Sequence, residues 1–308
     1  MTSRRKVIKT LGLGGSALVL SPKFTEAKRL PEPPFKYCLN TSTIRGQNPG
    51  IFKYVEIASK AGYDGIELWL GDIKSYLESG GSIQQLRRHI DEHQLTVENA
   101  IGFAPWMVED KTQQDAGFAQ MKEEMQILAE LDCRRVAAPG IGAKAPVDLF
   151  RAGQSYRKLL DLGRSTGVMP QLEFWGAFEP FHHLGQTLMV AAVANDPDAR
   201  LLPDVYHLFR GGSGFDGLKL LNGRSVEIFH LNDYPGDIPR EKQEDKDRVY
   251  PGDGVAPMGE IIRAIHDMGG PKVLSLELFN PGYWKEDPLA VAKTGLRKMK
   301  EQVSKALG

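Results

Sequence analysis

The chain has 308 residues, of which 41% are hydrophobic and 25% are charged, a composition that permits a substantial buried core in one or two globular domains. Lysine and arginine together number 39, as do aspartate and glutamate, so the formal net charge is zero. This balance argues against a nucleic-acid partner, because proteins that bind polyanions normally carry a basic excess.

The segment 1–30 resembles a twin-arginine export signal. Arg4 and Arg5 precede a stretch rich in glycine, alanine and leucine that runs to about Leu20, and a cleavage point is expected after Ala27. The apolar stretch is short and rich in glycine, so no stable membrane span is expected once the signal is removed. The alternative is a frayed basic tail. We expect export through the twin-arginine route, with a periplasmic or external location.

Residues 31–308 alternate short apolar runs with longer segments of helical period, which is typical of repeated βα units around a parallel sheet. Helical period places Met121 and Leu128 on one face, and Ser82 is predicted to cap the helix that follows it. The pattern predicts an α/β fold, a (β/α)8 TIM barrel, in a single domain. The eight predicted strands are Lys36–Asn40, Gly65–Leu70, Thr96–Ile101, Arg135–Pro139, Met169–Phe174, Leu201–Tyr206, Glu227–Asn232 and Val273–Phe279. The two cysteines, Cys38 and Cys133, have apolar neighbours and are expected to be buried thiols rather than a disulfide.

The last four predicted strands each place one metal-capable side chain near their end, namely Glu173, Asp204, His230 and Glu277. Each alone has a structural explanation, such as an ion pair, a helix cap or a core histidine. Together they are unexpected, because a strand buried on both faces should be apolar. Three carboxylates and one imidazole suit a divalent metal that prefers oxygen, and a barrel gathers its strand ends at the active-site face. The sequence therefore predicts a metal site.

The order Glu, Asp, His, Glu on consecutive late strands resembles the xylose isomerase-like TIM-barrel superfamily of sugar isomerases and epimerases, which includes the ketose 3-epimerases. The wording Tyr63-Asp-Gly-Ile-Glu-Leu68 on the second strand is similar to that family too. The resemblance implies that Glu173 and Glu277 hold the metal and also shuttle protons on opposite faces of a sugar, while Asp204 and His230 are ligands only. It favours manganese, with cobalt, magnesium or zinc as alternatives.

This ligand set fits proton-transfer chemistry at a sugar carbonyl. A metal bound by the carbonyl and an adjacent hydroxyl acidifies the C–H between them and stabilises the enediolate, and a carboxylate then moves the proton. Return of the proton on the opposite face gives epimerisation, and return to the neighbouring carbon gives isomerisation. Loss of water or of a leaving group would instead make the protein a lyase or dehydratase on a keto-sugar, inosose or glycoside. The ligands do not separate these outcomes.

Six further side chains are predicted to contact substrate. Glu179 and His207 match family positions that contact substrate or steer the catalytic glutamates. The indoles of Trp106 and Trp175 offer a stacking surface for a sugar ring. Arg248, in the long segment 235–257, would replace the arginine that ketose epimerases carry soon after the strand-seven histidine. The asparagine would bond a hydroxyl or cap a turn. Segment 235–257 is expected to cover the substrate. The six are Glu179, His207, Arg248, Trp106, Trp175 and Asn280.

An exported enzyme meets free sugars rather than sugar phosphates, so the sequence favours an isomerase or epimerase of a non-phosphorylated sugar, with a small carbohydrate as its partner. A homo-oligomer and a barrel that binds a sugar without turnover stay open. The superfamily also contains abasic-site endonucleases with a multi-zinc cluster. That activity is disfavoured, because Asn99, Phe103 and Pro139 stand where the cluster needs histidines.

Overall fold

Eight parallel strands follow one another around a barrel in the computed structural model, which describes residues 35–308. The predicted TIM barrel is confirmed, whereas the predicted export signal lies outside the described residues. The strands are β1 Lys36–Asn40, β2 Gly65–Trp69, β3 Thr96–Ile101, β4 Arg135–Pro139, β5 Met169–Glu173, β6 Leu201–Leu202, β7 Ile228–His230 and β8 Val273–Leu276. The helices are α1 Ile51–Ala61, α2 Leu70–Glu78, α3 Ile83–Glu92, α4 Lys111–Glu130, α5 Leu149–Thr166, α6 Leu184–Ala194, α7 Val205–Arg210, α8 Met258–Asp267 and α9 Pro288–Leu307.

Two hydrogen-bonded ladders make up the barrel wall. One has the order β3-β2-β1-β8-β7 and the other β4-β5-β6. The two ladders meet at two places. Isolated bridges between Leu201 and Val226 and between Asp204 and His230 join β6 to β7, and β3 lies beside β4. All pairs are parallel, so every strand delivers its last residue to the same rim of the barrel.

The late strands are shorter than predicted. The predicted Leu201–Tyr206 strand stops at Leu202, because Asp204 caps a short helix, α7, and accepts a hydrogen bond of 2.8 Å from the His207 amide. The eighth strand likewise ends at Leu276. Glu277 and Asp204 therefore lie just beyond their strands, on backbone that turns across the barrel mouth.

Helix packing follows the predicted periodicity. Met121 and Leu128 of α4 are buried, and Ser82 caps α3 by accepting from the Gln85 amide at 3.2 Å, which confirms both predictions. Cys38 and Cys133 are free, buried thiols, as predicted. None of the helices within residues 35–308 is long and apolar enough to cross a membrane.

Ion pairs link neighbouring strands near the N-terminal rim of the barrel. Glu98 of β3 bonds Lys36 Nζ at 3.2 Å and Arg135 Nη1 at 3.3 Å, and Arg135 also pairs with Glu227. These charges lie at the starts of their strands. In barrels of this kind, polar residues at that face serve stability, while chemistry belongs to the opposite rim.

Candidate active site

The C-terminal rim brings together the side chains that the sequence singled out. Asp204, His230 and Glu277 each offer one ligand atom, and these atoms all lie within 4.8 Å of one another. His230 ends β7, and the bridge between Asp204 and His230 fixes the backbone of both. Glu173 ends β5 and lines the same cavity as Glu277, although it is not part of the close three-residue group.

His230 is oriented by carboxylates on both sides of its ring. Its Nε2 hydrogen-bonds Glu67 Oε1 at 3.0 Å, so the other nitrogen is directed at the ligand cluster. Nδ1 lies 3.2 Å from Glu277 Oε2 and 3.7 Å from Asp204 Oδ2, yet has no hydrogen-bond partner of acceptable geometry. Burial would lower the pKa of His230, but the charges of Glu277 and Glu67 outweigh it and raise that pKa well above its usual value.

Glu67 belongs to the candidate site, although it is not among the residues predicted from the sequence. It is fully buried on β2, and both of its oxygens are saturated. Oε1 accepts from Asn99 Nδ2 at 2.7 Å in addition to its bond with His230, while Oε2 accepts from Asn40 Nδ2 at 2.8 Å and Ser275 Oγ at 2.6 Å. The available signal was a carboxylate inside the apolar run Gly65–Trp69. Such a partner fixes the tautomer and orientation of a metal-binding histidine.

Arg248 places a buried guanidinium against the ligand carboxylates. Its Nη1 donates to Asp204 Oδ2 at 3.0 Å and to Glu277 Oε2 at 2.8 Å, and Nη2 donates to Asp245. The guanidinium also lies over the Tyr206 ring, 4.6 Å from its centroid. These carboxylates raise the pKa of Arg248 further against the effect of burial, so the side chain is a permanent positive charge at the site.

Asp233 holds the Arg248-bearing segment in place. Its carboxylate accepts from the backbone amides of Tyr234, Gly252, Gly254 and Ala256 at 2.8 to 3.1 Å. The Asp233 backbone also pairs with Val249 in an antiparallel bridge. Segment 235–257 is thus pinned at both ends and forms one wall of the cavity through Asp245 and Arg248.

Glu173 differs from the other carboxylates of the site because it lacks a charged partner. It is only 3% exposed, and its Oε2 is buried without a hydrogen-bond partner. Burial raises the pKa of Glu173 to about 8, with His230 opposing the shift and the charges of Glu277 and Glu67 adding to it. A carboxyl group with such a pKa exchanges its proton near neutral pH.

The cavity above these groups has a volume of about 330 Å³. A larger depression of about 650 Å³ beside α8 contains none of the residues described above, so size alone does not identify the site. The residues that line the smaller cavity are Trp69, Ile101, Phe103, Glu173, Trp175, Ala177, Phe178, His207, Asp245, Arg248, Glu277 and Phe279.

The structure brings three of the six predicted substrate contacts to the cavity, namely His207, Trp175 and Arg248. His207 Nδ1 lies 3.1 Å from the Gly176 amide nitrogen. His207 Nε2 lies 3.0 Å from Arg248 Nη2, and because a neutral imidazole accepts at one nitrogen only, the Gly176 amide and Arg248 compete for that role. Burial and the Arg248 charge lower the pKa of His207, which keeps the ring neutral.

The other three lie elsewhere. Trp106 is fully buried and donates from Nε1 to the Pro139 carbonyl at 2.9 Å, so it packs in the core. Glu179 lies with Arg210 in a neighbouring surface depression, which shares Ala177 with the cavity. Asn280 caps a turn and donates to the Arg248 carbonyl at 3.0 Å. Direct substrate contact does not fit the buried position of Trp106, and for Glu179 and Asn280 it stays a prediction.

Comparison with known proteins places these features in a family. A family model described as "Xylose isomerase-like TIM barrel" matches residues 55–302. An inosose isomerase of Bacillus licheniformis is 26% identical over 284 residues, which cover 88% of this chain and 98% of that protein. The inosose isomerase of Bacillus velezensis is 27% identical, again over 88% of this chain and 98% of the relative.

Solved structures show the same architecture. The structure of the IolI protein with a bound zinc atom superposes with a TM-score of 0.82, at 24% sequence identity, over 89% of this chain and all of that chain. At this identity, the likeness shows the fold.

Proposed function

The chain belongs to the xylose isomerase-like TIM-barrel family, and on this premise we propose that it is a divalent-metal-dependent isomerase or epimerase of a non-phosphorylated sugar or keto-sugar. The observation that carries the proposal is the cluster of Asp204, His230 and Glu277, whose ligand atoms lie within 4.8 Å of one another beside the buried Glu173.

The residues present fit a divalent metal. Three buried polar atoms of the described site, His230 Nδ1, Glu173 Oε2 and Arg248 Nε, have no hydrogen-bond partner. The first two can ligate a metal, and unpaired buried groups of this kind are costly. Among the described residues of the site, acidic side chains outnumber basic ones, since five (Glu67, Glu173, Asp204, Asp245 and Glu277) face Arg248 and His230. Asp204, His230 and Glu277, with Glu173 as a fourth, would hold the ion.

A bound divalent metal would polarise the carbonyl of the sugar and acidify the neighbouring C–H. Three carboxylates and one imidazole accept manganese, zinc, cobalt or magnesium. We retain manganese as the proposed ion, and the zinc bound by the related IolI protein makes zinc the alternative to test first.

The protein's own groups divide the remaining work. Glu173, whose Oε2 has no hydrogen-bond partner, removes or returns the substrate proton. Glu277 is more constrained, because Oε1 accepts from Asn40 at 3.0 Å and Oε2 from Arg248. We therefore propose that Glu173 carries the first proton transfer and that Glu277 acts on the opposite face after its bond to Arg248 loosens. The Arg248 charge stabilises negative charge on the substrate oxygens.

The lining of the cavity supports a non-phosphorylated substrate. Among the described residues that line it, Arg248 is the single permanent cation, and it is already paired with Asp204, Asp245 and Glu277. A phosphate group would meet carboxylates there rather than free donors, and like charges repel strongly in a buried site.

Solvent-deuterium exchange tests the proposal. Metal-loaded protein is incubated in deuterated water with free sugars, keto-sugars and inososes, and products are read by NMR and mass spectrometry. We expect deuterium at the carbon next to the carbonyl, its loss in Glu173→Gln, and its retention in Glu260→Gln, which removes an exposed carboxylate on α8. A product lighter than its substrate would indicate a lyase, and binding without any exchange would indicate a sugar-binding barrel.

A further inference from the structure

Five aromatic rings form a continuous wall around the mouth of the cavity. In order they are Phe279, Trp69, Phe103, Trp175 and Phe178, and neighbouring ring centroids are 6.0, 5.5, 5.9 and 6.2 Å apart. Each contact is edge-to-face, the arrangement that aromatic pairs prefer. The rings come from the ends of β2, β3, β5 and β8 or the segments after them, so the barrel itself fixes their positions. We call this set the aromatic collar.

The collar offers a ligand almost no hydrogen bonds. Trp69 Nε1 is already bonded to Asn40 Oδ1 at 2.9 Å, the Trp175 N–H lies beside Glu173, and the three phenylalanines have no polar atoms. Phe103 is 40% exposed at the mouth. Large exposed apolar groups next to a cavity mark ligand-binding surfaces.

The polar groups that line the cavity come from five residues outside the collar. Glu173, His207, Asp245, Arg248 and Glu277 are its polar lining residues among the described part of the chain. A free sugar can stack a C–H face on one or two of these rings, but its hydroxyls directed at the rest of the collar would gain no protein partner. An apolar ring in the same place would instead displace water from five aromatic faces and edges.

Because the cavity is lined by both a set of polar residues and an aromatic collar, we infer that the substrate is a keto-sugar that carries an aryl group, as in an oxidised aryl glycoside. Its sugar ring contacts the polar lining residues and its aryl group packs against the collar. The inference rests on the proposed function, because it places the reacting carbonyl beside Glu173. The cavity volume of about 330 Å³ lies within the usual range of small-molecule sites, roughly 300–1,000 Å³.

The test compares two probes that differ only in the aglycone, phenyl and methyl 3-keto-β-D-glucopyranoside. Binding to metal-loaded, full-length protein is measured by isothermal titration calorimetry. We expect the phenyl probe to bind about 10-fold more tightly than the methyl probe, as burial of one aromatic ring predicts. Phe103→Ala and Phe178→Ala should each reduce that ratio by about 3-fold or more.

Phe150→Ala is the matched control, because it removes a phenylalanine that is 62% exposed on α5 and outside the cavity lining. It should leave the ratio unchanged. Equal affinities for the two probes, no binding of the phenyl probe, or a ratio that survives both collar variants would each overturn the inference.

Metal content and deuterium exchange into the methyl probe are recorded on the same samples. Exchange without a preference for the phenyl probe overturns the aryl inference alone. If the wild-type protein shows neither metal binding nor deuterium exchange, the proposed function is overturned instead.

Discussion

Replacing Glu67 with glutamine should weaken metal binding without any change to the proposed ligands themselves. Glu67 accepts four hydrogen bonds, from His230, Asn99, Asn40 and Ser275, at 2.6 to 3.0 Å. In Glu67→Gln an amide N–H₂ must face one pair of these donors, and the negative charge beside His230 is lost. Changes to such supporting partners typically cost about 10- to 100-fold in metal affinity, which is roughly 1.4 to 2.7 kcal/mol.

The assay is competition for manganese or zinc against a chelating dye at fixed pH. Glu98→Gln is the matched control, since it removes another buried β-barrel glutamate that pairs with Lys36 and Arg135 at the opposite rim. We expect that control to affect thermal stability but not metal affinity. Unchanged affinity in Glu67→Gln, or an equal loss in Glu98→Gln, would refute the orienting role of Glu67.

Two further predictions concern the protein stripped of metal. Burial raises the pKa of Glu173 from 4.5 to about 8, so between those pH values the folded chain keeps a proton that the unfolded chain loses, and the free energy of unfolding falls as the pH rises. Urea denaturation at about pH 6 and pH 8.5 should show a smaller fall in the free energy of unfolding for Glu173→Gln than for the wild type. Equal falls would contradict the raised pKa. Arg248→Met strands Asp204 and Glu277 as buried charges and should lower the free energy of unfolding by about 3–5 kcal/mol. The control Arg240→Met removes an arginine of the same segment that is half exposed and pairs with Glu241, and an equal effect of the two variants would count against the buried network.

The barrel was predictable because its signals are local. Alternating apolar runs and helical periodicity place all eight strands, and the strand ends place the four ligand candidates at one rim. The errors fall where a tertiary contact decides. Asp204 stops the sixth strand by capping α7, and Asn232 Oδ1 accepts from the Tyr206 amide at 2.9 Å from a distant strand end, so the short helix depends on a partner that no local pattern reveals.

The site beyond the ligands depends on non-local contacts. Glu67 has the same sequence context whether it is exposed or buried, and only the barrel places it against His230. Arg248 reaches the carboxylates because Asp233 pins its segment from a different part of the chain. Tryptophan follows the same rule, since Trp106 was favoured yet is buried against Pro139, while Trp69 lines the cavity. Residue type predicts the kind of chemistry, and packing decides which of several residues of that type lies at the site.

The central claim, that the strand-end cluster binds a divalent metal, is tested most directly by elemental analysis after reconstitution with manganese, zinc, cobalt or magnesium and removal of free ion. We expect about one ion per wild-type chain for at least one of these metals. His230→Ala, verified as folded by circular dichroism, should retain far less than one. Folded wild-type protein that retains none of the four ions would contradict the account, and so would an unchanged stoichiometry in His230→Ala.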